Sequence, residues 1–124
     1  MPETNPLFDS ETELLSVEAI GVTAATTSPA VNTNKSSYMG RPEALVVLDV
    51  TVLTGSALAV DFKLVGTVNG VDFDVPSGGF TQITATGVAR EVISVPVLPL
   101  NVKVIYEVAG TTPALTATIN CLRV

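Results

Sequence analysis

Apolar and polar residues alternate along most of the chain beyond residue 43, with the two-residue period of a strand that buries one face. The alternation is clearest in four stretches. Their apolar sets are Val46, Leu48, Val50 and Val52; Leu58, Val60, Phe62 and Leu64; Leu100, Val102, Val104, Tyr106 and Val108; and Leu115, Ala117, Ile119 and Cys121. Each set predicts the buried face of a strand, and Cys121 is expected to pack there as an inert apolar side chain.

Turns that contain glycine separate these stretches. Thr54-Gly55-Ser56 and residues 110–113 each predict a turn between two strands. Asn69-Gly70 is a favoured pair for a type I′ turn and predicts a tight hairpin within residues 63–75. The turn at Thr54-Gly55-Ser56 and the turn at residues 110–113 lie in similar sequences. The likeness reflects either shared turn chemistry or duplication, and a single sequence does not separate the two.

Short strands with turns about every 8–12 residues predict an all-β fold, an antiparallel β-sandwich of about seven to nine strands. Jelly-roll and immunoglobulin-like strand orders both remain open. Composition favours the same class, because Val (20) and Thr (16) are the β-branched residues that suit strands. The length of 124 residues fits a single domain, which we predict for residues 19–124.

The N-terminal segment differs in charge from the rest of the chain. Residues 1–18 hold five acidic residues and no Lys or Arg, whereas the remainder holds seven acidic and six basic residues. Pro2, Pro6 and a polar run that follows them favour an extended or loosely ordered segment, with a short helical turn after Ser10 as the alternative. We therefore predict an acidic N-terminal arm over residues 1–18.

Missing residue types exclude several kinds of chemistry. The chain has no His and one Cys, so it lacks the residues for a zinc site, an internal disulfide or a catalytic triad built on His. Asp72 and Asp74 lie about 7 Å apart on one face of a strand. These two carboxylates could contribute to a Ca²⁺ site only if oxygen atoms from loops supplied further ligands. A solvated outer face explains the pair better. No catalytic residue, cofactor or metal is expected.

Charge and hydropathy argue against two classes of partner. A net charge of −6 without a basic stripe is unsuited to nucleic acid. The longest stretch without charge, 19–34, is interrupted by Gly21 and Pro29 and is too short for a membrane helix. The first residues also lack the basic and apolar regions of a secretory signal. We expect neither nucleic acid nor a membrane as partner, and no export by the usual route.

Some strands carry apolar residues on both faces, and these residues suggest contacts with other chains. The positions opposite the main apolar sets are Leu45, Val47, Leu53, Val65 and Ile105. A sandwich buries only one face of each sheet. Either the N-terminal segment and loops cover these side chains, or another subunit does. We favour assembly, because large exposed apolar patches usually mark such contacts.

Three segments together resemble a recurring type of small virion protein of tailed bacteriophages, over about residues 44–123. They are residues 48–58 (LDVTVLTGSAL), 80–84 (FTQIT) and 104–116 (VIYEVAGTTPALT). The resemblance implies a β-sandwich on the outside of a capsid, as a decoration or cement protein and often as a trimer. It brings no catalytic residue with it.

The function expected from the sequence is therefore structural and non-enzymatic. The protein would be made in the host cytoplasm and would stabilise the head of a phage by binding the major capsid protein at subunit junctions. A neck or tail component of the virion and a module that binds host-surface carbohydrate are the alternatives. An enzyme that uses Asp72 and Asp74 is the weakest hypothesis. Sugar binding lacks its usual aromatic platform, because the chain has no Trp and Tyr106 is predicted to point inward.

Overall fold

The computed structural model describes residues 10–20, 24–33 and 43–123, and within them every regular element is a β-strand. All pairings are antiparallel and belong to one seven-stranded sheet, which confirms the all-β antiparallel class. The strands are β1 (Ser10–Ile20), β2 (Ala25–Thr27), β3 (Val31–Asn32), β4 (Ala44–Val68), β5 (Val71–Gly79), β6 (Ala89–Val95) and β7 (Asn101–Arg123).

Two long strands form the centre of the sheet. β4 has 25 residues and β7 has 23, and they pair from Ala44 opposite Arg123 to Gly66 opposite Val102. The shorter strands divide this pair into two halves. The β6 half contains β1, β6, residues 44–54 of β4 and residues 114–123 of β7. The β5 half contains β2, β3, β5 and the remaining parts of β4 and β7.

The turns predicted at Thr54-Gly55-Ser56 and at residues 110–113 are wrong, because both segments are irregularities inside the continuous strands β4 and β7. The pairing register shifts between Thr54 and Ser56 and again between Ser56 and Ala59. Left-handed or otherwise glycine-favouring backbone occurs in both segments, at Gly55, Ala57, Gly110 and Thr112. A bulge and a hairpin turn use the same residue types, so local sequence alone does not distinguish them.

The two irregular segments, which have similar sequences, lie against each other, with Ser56 opposite Thr111. A Cβ atom on Gly110 would lie 2.9 Å from the Ser56 carbonyl oxygen, and one on Gly55 would lie 3.0 Å from the Thr111 oxygen. Glycine is therefore required at both positions, by the positive φ and by the close approach of the facing backbone. The irregular segments of β4 and β7 therefore coincide, and bulges of this kind bend the strands that carry them.

The hairpin predicted at Asn69-Gly70 is confirmed. Val68 and Val71 pair directly across it, and Asn69 and Gly70 have φ values of 52° and 79°. Two successive positive φ angles define the type I′ turn, whose twist matches that of the flanking strands. This hairpin joins β4 to β5 at one end of the molecule.

The inner face of the sheet is lined by a single apolar core that draws on both halves. Leu48 and Ile119 come from the β6 half, and Phe62 and Leu64 from the β5 half; none is more than 2% exposed. The rings of Phe62 and Tyr106 stack with their centroids 6.1 Å apart. The sheet therefore curls into a half-barrel around this core.

The described part of the N-terminal segment is a strand. Ser10–Ile20 pairs with the C-terminal part of β7, and Leu14 and Val17 are buried. The arm predicted over residues 1–18 as extended or loosely ordered is extended over residues 10–18, where it forms a strand, and the alternative helical turn after Ser10 is wrong. Apolar residues between the acids account for the strand, because they add one more strand to the core. Residues 1–9 lie outside the described part of the chain.

Candidate interaction surfaces

The five outward apolar positions predicted from the sequence do not share one environment. Leu45 is 38% exposed, and Val47 and Ile105 are half-buried, so these three reach the surface. Leu53 and Val65 are 1% and 2% exposed, so the chain itself covers them. The structure brings Leu45 and Val47 together on the β6 half and places Ile105 on the β5 half.

Leu53 is buried because a bulge reverses the alternation in β4. The register shifts between Val50 and Val52, so Val50 and Leu53 both face the core. Val52, which the uninterrupted alternation assigned to the buried face, is 45% exposed instead. A single extra residue in one strand exchanges the two faces from that point onward.

Val65 lies on the outer face of the β5 half, surrounded by charged side chains. Its direct partners are Asp74 on β5 and Lys103 on β7. Two ion pairs connect the same three strands, Lys63 to Asp74 and Lys103 to Asp72, each at 3.1 Å. Long lysine side chains can cover an apolar neighbour with their aliphatic stems, and the 2% exposure of Val65 between these ion pairs is consistent with such cover.

The same ion pairs involve Asp72 and Asp74, the two candidate Ca²⁺ ligands. The carboxylates of Asp72 and Asp74 each hold a lysine ammonium group. The hydrogen bond from Lys103 holds the pKa of the Asp72 carboxyl below its ordinary value, against a smaller effect of desolvation. Within the residues that the structure describes, no group of three or more Asp, Glu, Cys or His side chains is placed to hold a metal ion.

The outer face of the β6 half carries a set of neighbouring apolar side chains, here called the β6-face patch: Leu45, Val47, Val92 and Leu122. Leu45 pairs with Leu122 on β7, and Val47 pairs with Val92 on β6. Val92 is 53% exposed, and Leu122 is half-buried. Because directly paired residues point to the same side of a sheet, these four side chains form one surface. Sequence reasoning found two of them and missed Val92 and Leu122.

Polar groups border the β6-face patch on one side. An ion pair of 3.2 Å joins Arg90 to Asp49 in the row beside Val47. A shallow depression of about 290 Å³ runs between this ion pair and the patch, and Thr118 and Leu122 also line it. The patch therefore has the usual composition of a protein contact surface, an apolar centre with a polar edge.

A second apolar surface lies at the end of the molecule that carries the β4–β5 hairpin. We call it the tip patch; its members are Val68, Val71, Phe73, Val97 and Leu100, between 42% and 67% exposed. The hairpin supplies the first three, and the connection from β6 to β7 and its junction with β7 supply the other two. Sequence reasoning missed this surface, although apolar residues directly beside an Asn-Gly turn are a usable signal.

Other residues discussed from the sequence lie inside the molecule. Cys121 is fully buried, in agreement with its predicted inward position, and Tyr106 is 9% exposed. Thr12, opposite Cys121 on β1, has a buried hydroxyl without a hydrogen-bond partner. Among the described residues, no helix has the length and apolar character needed to cross a membrane.

Comparisons with known proteins place the chain in no family. No protein-family model matches the sequence, and no curated protein matches it. One solved structure with similarity is the VP2 subviral particle of infectious bursal disease virus, with a TM-score of 0.46 and 11% sequence identity. The alignment covers 93% of this chain and 33% of the VP2 chain, so the chain spans a third of that protein's length.

Proposed function

We propose that this chain is a non-enzymatic structural protein of a virion, a decoration or cement protein on the exterior of a tailed-phage head. Its partner in this proposal is the major capsid protein, and its working form is a homotrimer. It adheres at junctions between capsid subunits and stabilises the head by burying apolar surface there.

The β6-face patch is the observation that carries the proposal. Its four side chains lie on paired strands, outside the core, and they leave apolar surface in contact with water. Removing such surface from water is favourable by roughly 25 cal/mol per Å². A rigid sheet that presents this surface loses little conformational entropy on binding, which suits a protein whose task is adhesion.

We also infer that the curled sheet acts as a two-layered sandwich. The inward residues of the two halves contribute to one core, as two packed layers would. The order in the β6 half is β1, β7, β4, β6, and in the β5 half it is β2 and β3, β7, β4, β5. Four-stranded layers that exchange long bent strands are compatible with a jelly-roll arrangement.

The test is binding of purified protein to phage heads that lack it. Val92→Lys places a charge within the β6-face patch, at its most exposed member, and we expect it to weaken binding at least tenfold. Val88→Lys is the matched control, because Val88 is 78% exposed and lies outside both apolar patches. Binding would be measured by co-sedimentation of protein with heads.

Three outcomes of this test contradict the proposal. The wild-type protein fails to bind heads, both lysine variants bind as well as the wild type, or both lose binding equally. If wild-type protein instead binds isolated tails or necks, the chain is a neck or tail component. Binding to glycans in a parallel array would favour the carbohydrate module. The stacked, inward position of Tyr106 gives that alternative little support.

A further inference from the structure

We propose that the tip patch is a contact surface for a second copy of this chain. The inference rests on the homotrimer of the proposed function and deepens it, because it names the surface through which copies of the chain meet, and it is tested without any capsid. It uses a surface at one end of the molecule that is separate from the β6-face patch.

Four members of the tip patch are contiguous, and Val97 lies two residues before Pro99 in the same connection. Val68 pairs with Val71 across the hairpin, and Phe73 pairs with Gly66 one step closer to the core. A Cβ atom on Gly66 would lie 2.4 Å from the Phe73 ring and 2.7 Å from the Pro99 side chain, so ring and proline meet over this glycine. Leu100 follows Pro99 directly, at the point where the chain enters β7. Hairpin and connection therefore present one apolar surface.

The tip patch is exposed because the hairpin extends past the core. The inner face of β4 is buried at Leu64 and Gly66, whereas Val68 is 58% exposed. Beyond the turn, Val71 is 67% exposed although it lies on the same side of the sheet. The described part of the chain thus leaves core-type side chains uncovered at this end.

Charge favours a second copy as the occupant. The chain carries a net charge of −6, so contact between two copies is opposed least where the touching surfaces are neutral. All five members of the tip patch are uncharged. The nearest acid, Asp72, points to the other side of β5, where its carboxylate already pairs with Lys103. Two copies can therefore meet here without burying an unpaired carboxylate, whereas a charged partner would find no complement.

The size of the patch fits a self-contact of moderate strength. Exposed fractions of 42–67% on four aliphatic side chains and one phenylalanine correspond to about 450 Å² of apolar surface per copy. Two copies would bury about 900 Å² through these side chains, which is below the roughly 1,200 Å² of stable specific interfaces and in the range of weak, transient contacts. We therefore expect a weak association that depends on protein concentration.

Sedimentation velocity of the full chain over a range of concentrations tests the proposal. The wild-type protein should show a sedimentation coefficient that rises with concentration. Val71→Lys and Leu100→Lys should each raise the dissociation constant at least tenfold, since each places a charge in the contact. Both substitutions make the net charge less negative and therefore reduce the overall repulsion between copies. A weaker self-association in these variants is thus not explained by net charge. Circular dichroism verifies that each variant is folded.

Two matched controls make the result specific. Val88→Lys adds the same charge at an exposed position outside the patch, and Val92→Lys adds it to the β6-face patch; both should leave self-association unchanged. A wild-type protein that stays monomeric at about 1 mM, where even millimolar affinity would show, overturns the proposal. Equal loss of association in a control variant, or no loss in Val71→Lys and Leu100→Lys, also overturns it. None of these outcomes bears on head binding, which is measured separately.

Discussion

The two halves of the sheet share one core, yet their outer faces differ. In the β5 half, outward positions hold the ion pairs Lys63–Asp74 and Lys103–Asp72. In the β6 half, outward positions hold the apolar residues Leu45 and Val92, which are 38% and 53% exposed, beside the ion pair Arg90–Asp49. The β5 half shows that outward positions of this sheet accept charged residues. The fold therefore does not require apolar residues on the outer face of the β6 half, and a contact is the better explanation for them.

The largest effects are expected in the shared core, where the comparison predicts that the halves behave alike. Leu48 in the β6 half and Leu64 in the β5 half are each 1% exposed. Leu48→Ala and Leu64→Ala should each lower the free energy of unfolding by about 3 kcal/mol, through lost burial and the cavity that remains. Urea denaturation, followed by circular dichroism, should show one transition for both. Two transitions in either variant would mean that the halves fold separately, contrary to a common core.

A somewhat smaller loss is expected where the two halves are joined. Gly110→Ala should cost about 2 kcal/mol, because Gly110 has φ of 146° and an added Cβ would meet the Ser56 carbonyl oxygen. Gly79→Ala is the matched control: its Cβ would meet nothing within 4 Å, and the change should stay within about 0.5 kcal/mol. Thermal denaturation provides the measurement. Equal stability of the two variants would show that the paired bends tolerate a side chain.

One substitution should stabilise the β6 half. The hydroxyl of Thr12 is buried on the inner face of β1 without a hydrogen-bond partner. Thr12→Val keeps the shape of the side chain and removes the unsatisfied group, so we expect a gain of about 1 kcal/mol in the free energy of unfolding. Glu13→Gln, on the exposed neighbour, serves as the control and should change little. A loss of stability in Thr12→Val would indicate that the hydroxyl has a partner after all.

The smallest effect concerns the charged face of the β5 half. Lys103 lowers the pKa of Asp72 in the folded protein below its ordinary value of 3.8. The unfolded chain therefore binds the proton of Asp72 more readily than the folded protein does. The ion pair stabilises the folded protein fully at pH values above the ordinary pKa of 3.8, and this stabilisation declines as the pH falls through the lower, folded-state pKa. Asp72→Asn and Lys103→Met should both make the free energy of unfolding fall less steeply with acidification, as measured by urea denaturation between about pH 2 and 6. An unchanged pH dependence in both variants would contradict the ion pair.

The sequence predicted the class of fold and most of the buried face correctly, because alternation of apolar residues follows directly from the geometry of a strand. It failed where long-range pairing overrides local signals. Gly55 and Gly110 are typical of hairpin turns, but here the strands continue through them. The bulge after Val50 then exchanged the roles of Val52 and Leu53. Neither a bulge nor the partner of a strand is encoded in the local pattern.

The surfaces were less predictable than the core. Leu45 was found because it interrupts an alternating strand, whereas Val92 lies in a strand whose two faces are both mixed in composition. The tip patch depends on how far the β4–β5 hairpin extends beyond the core, which follows only from the assembled sheet. Position along a strand gives the face of a side chain, but its exposure depends on what other strands cover.

Electron cryomicroscopy of virions with and without this protein tests the central claim most directly, since a single map gives location, stoichiometry and orientation. We expect additional density on the outside of the head, at junctions of capsid subunits, with the strands β4 and β6 turned toward the capsid and Val92 within the contact. Density that leaves this face exposed to solvent, or particles whose heads are identical with and without the protein, would contradict the account.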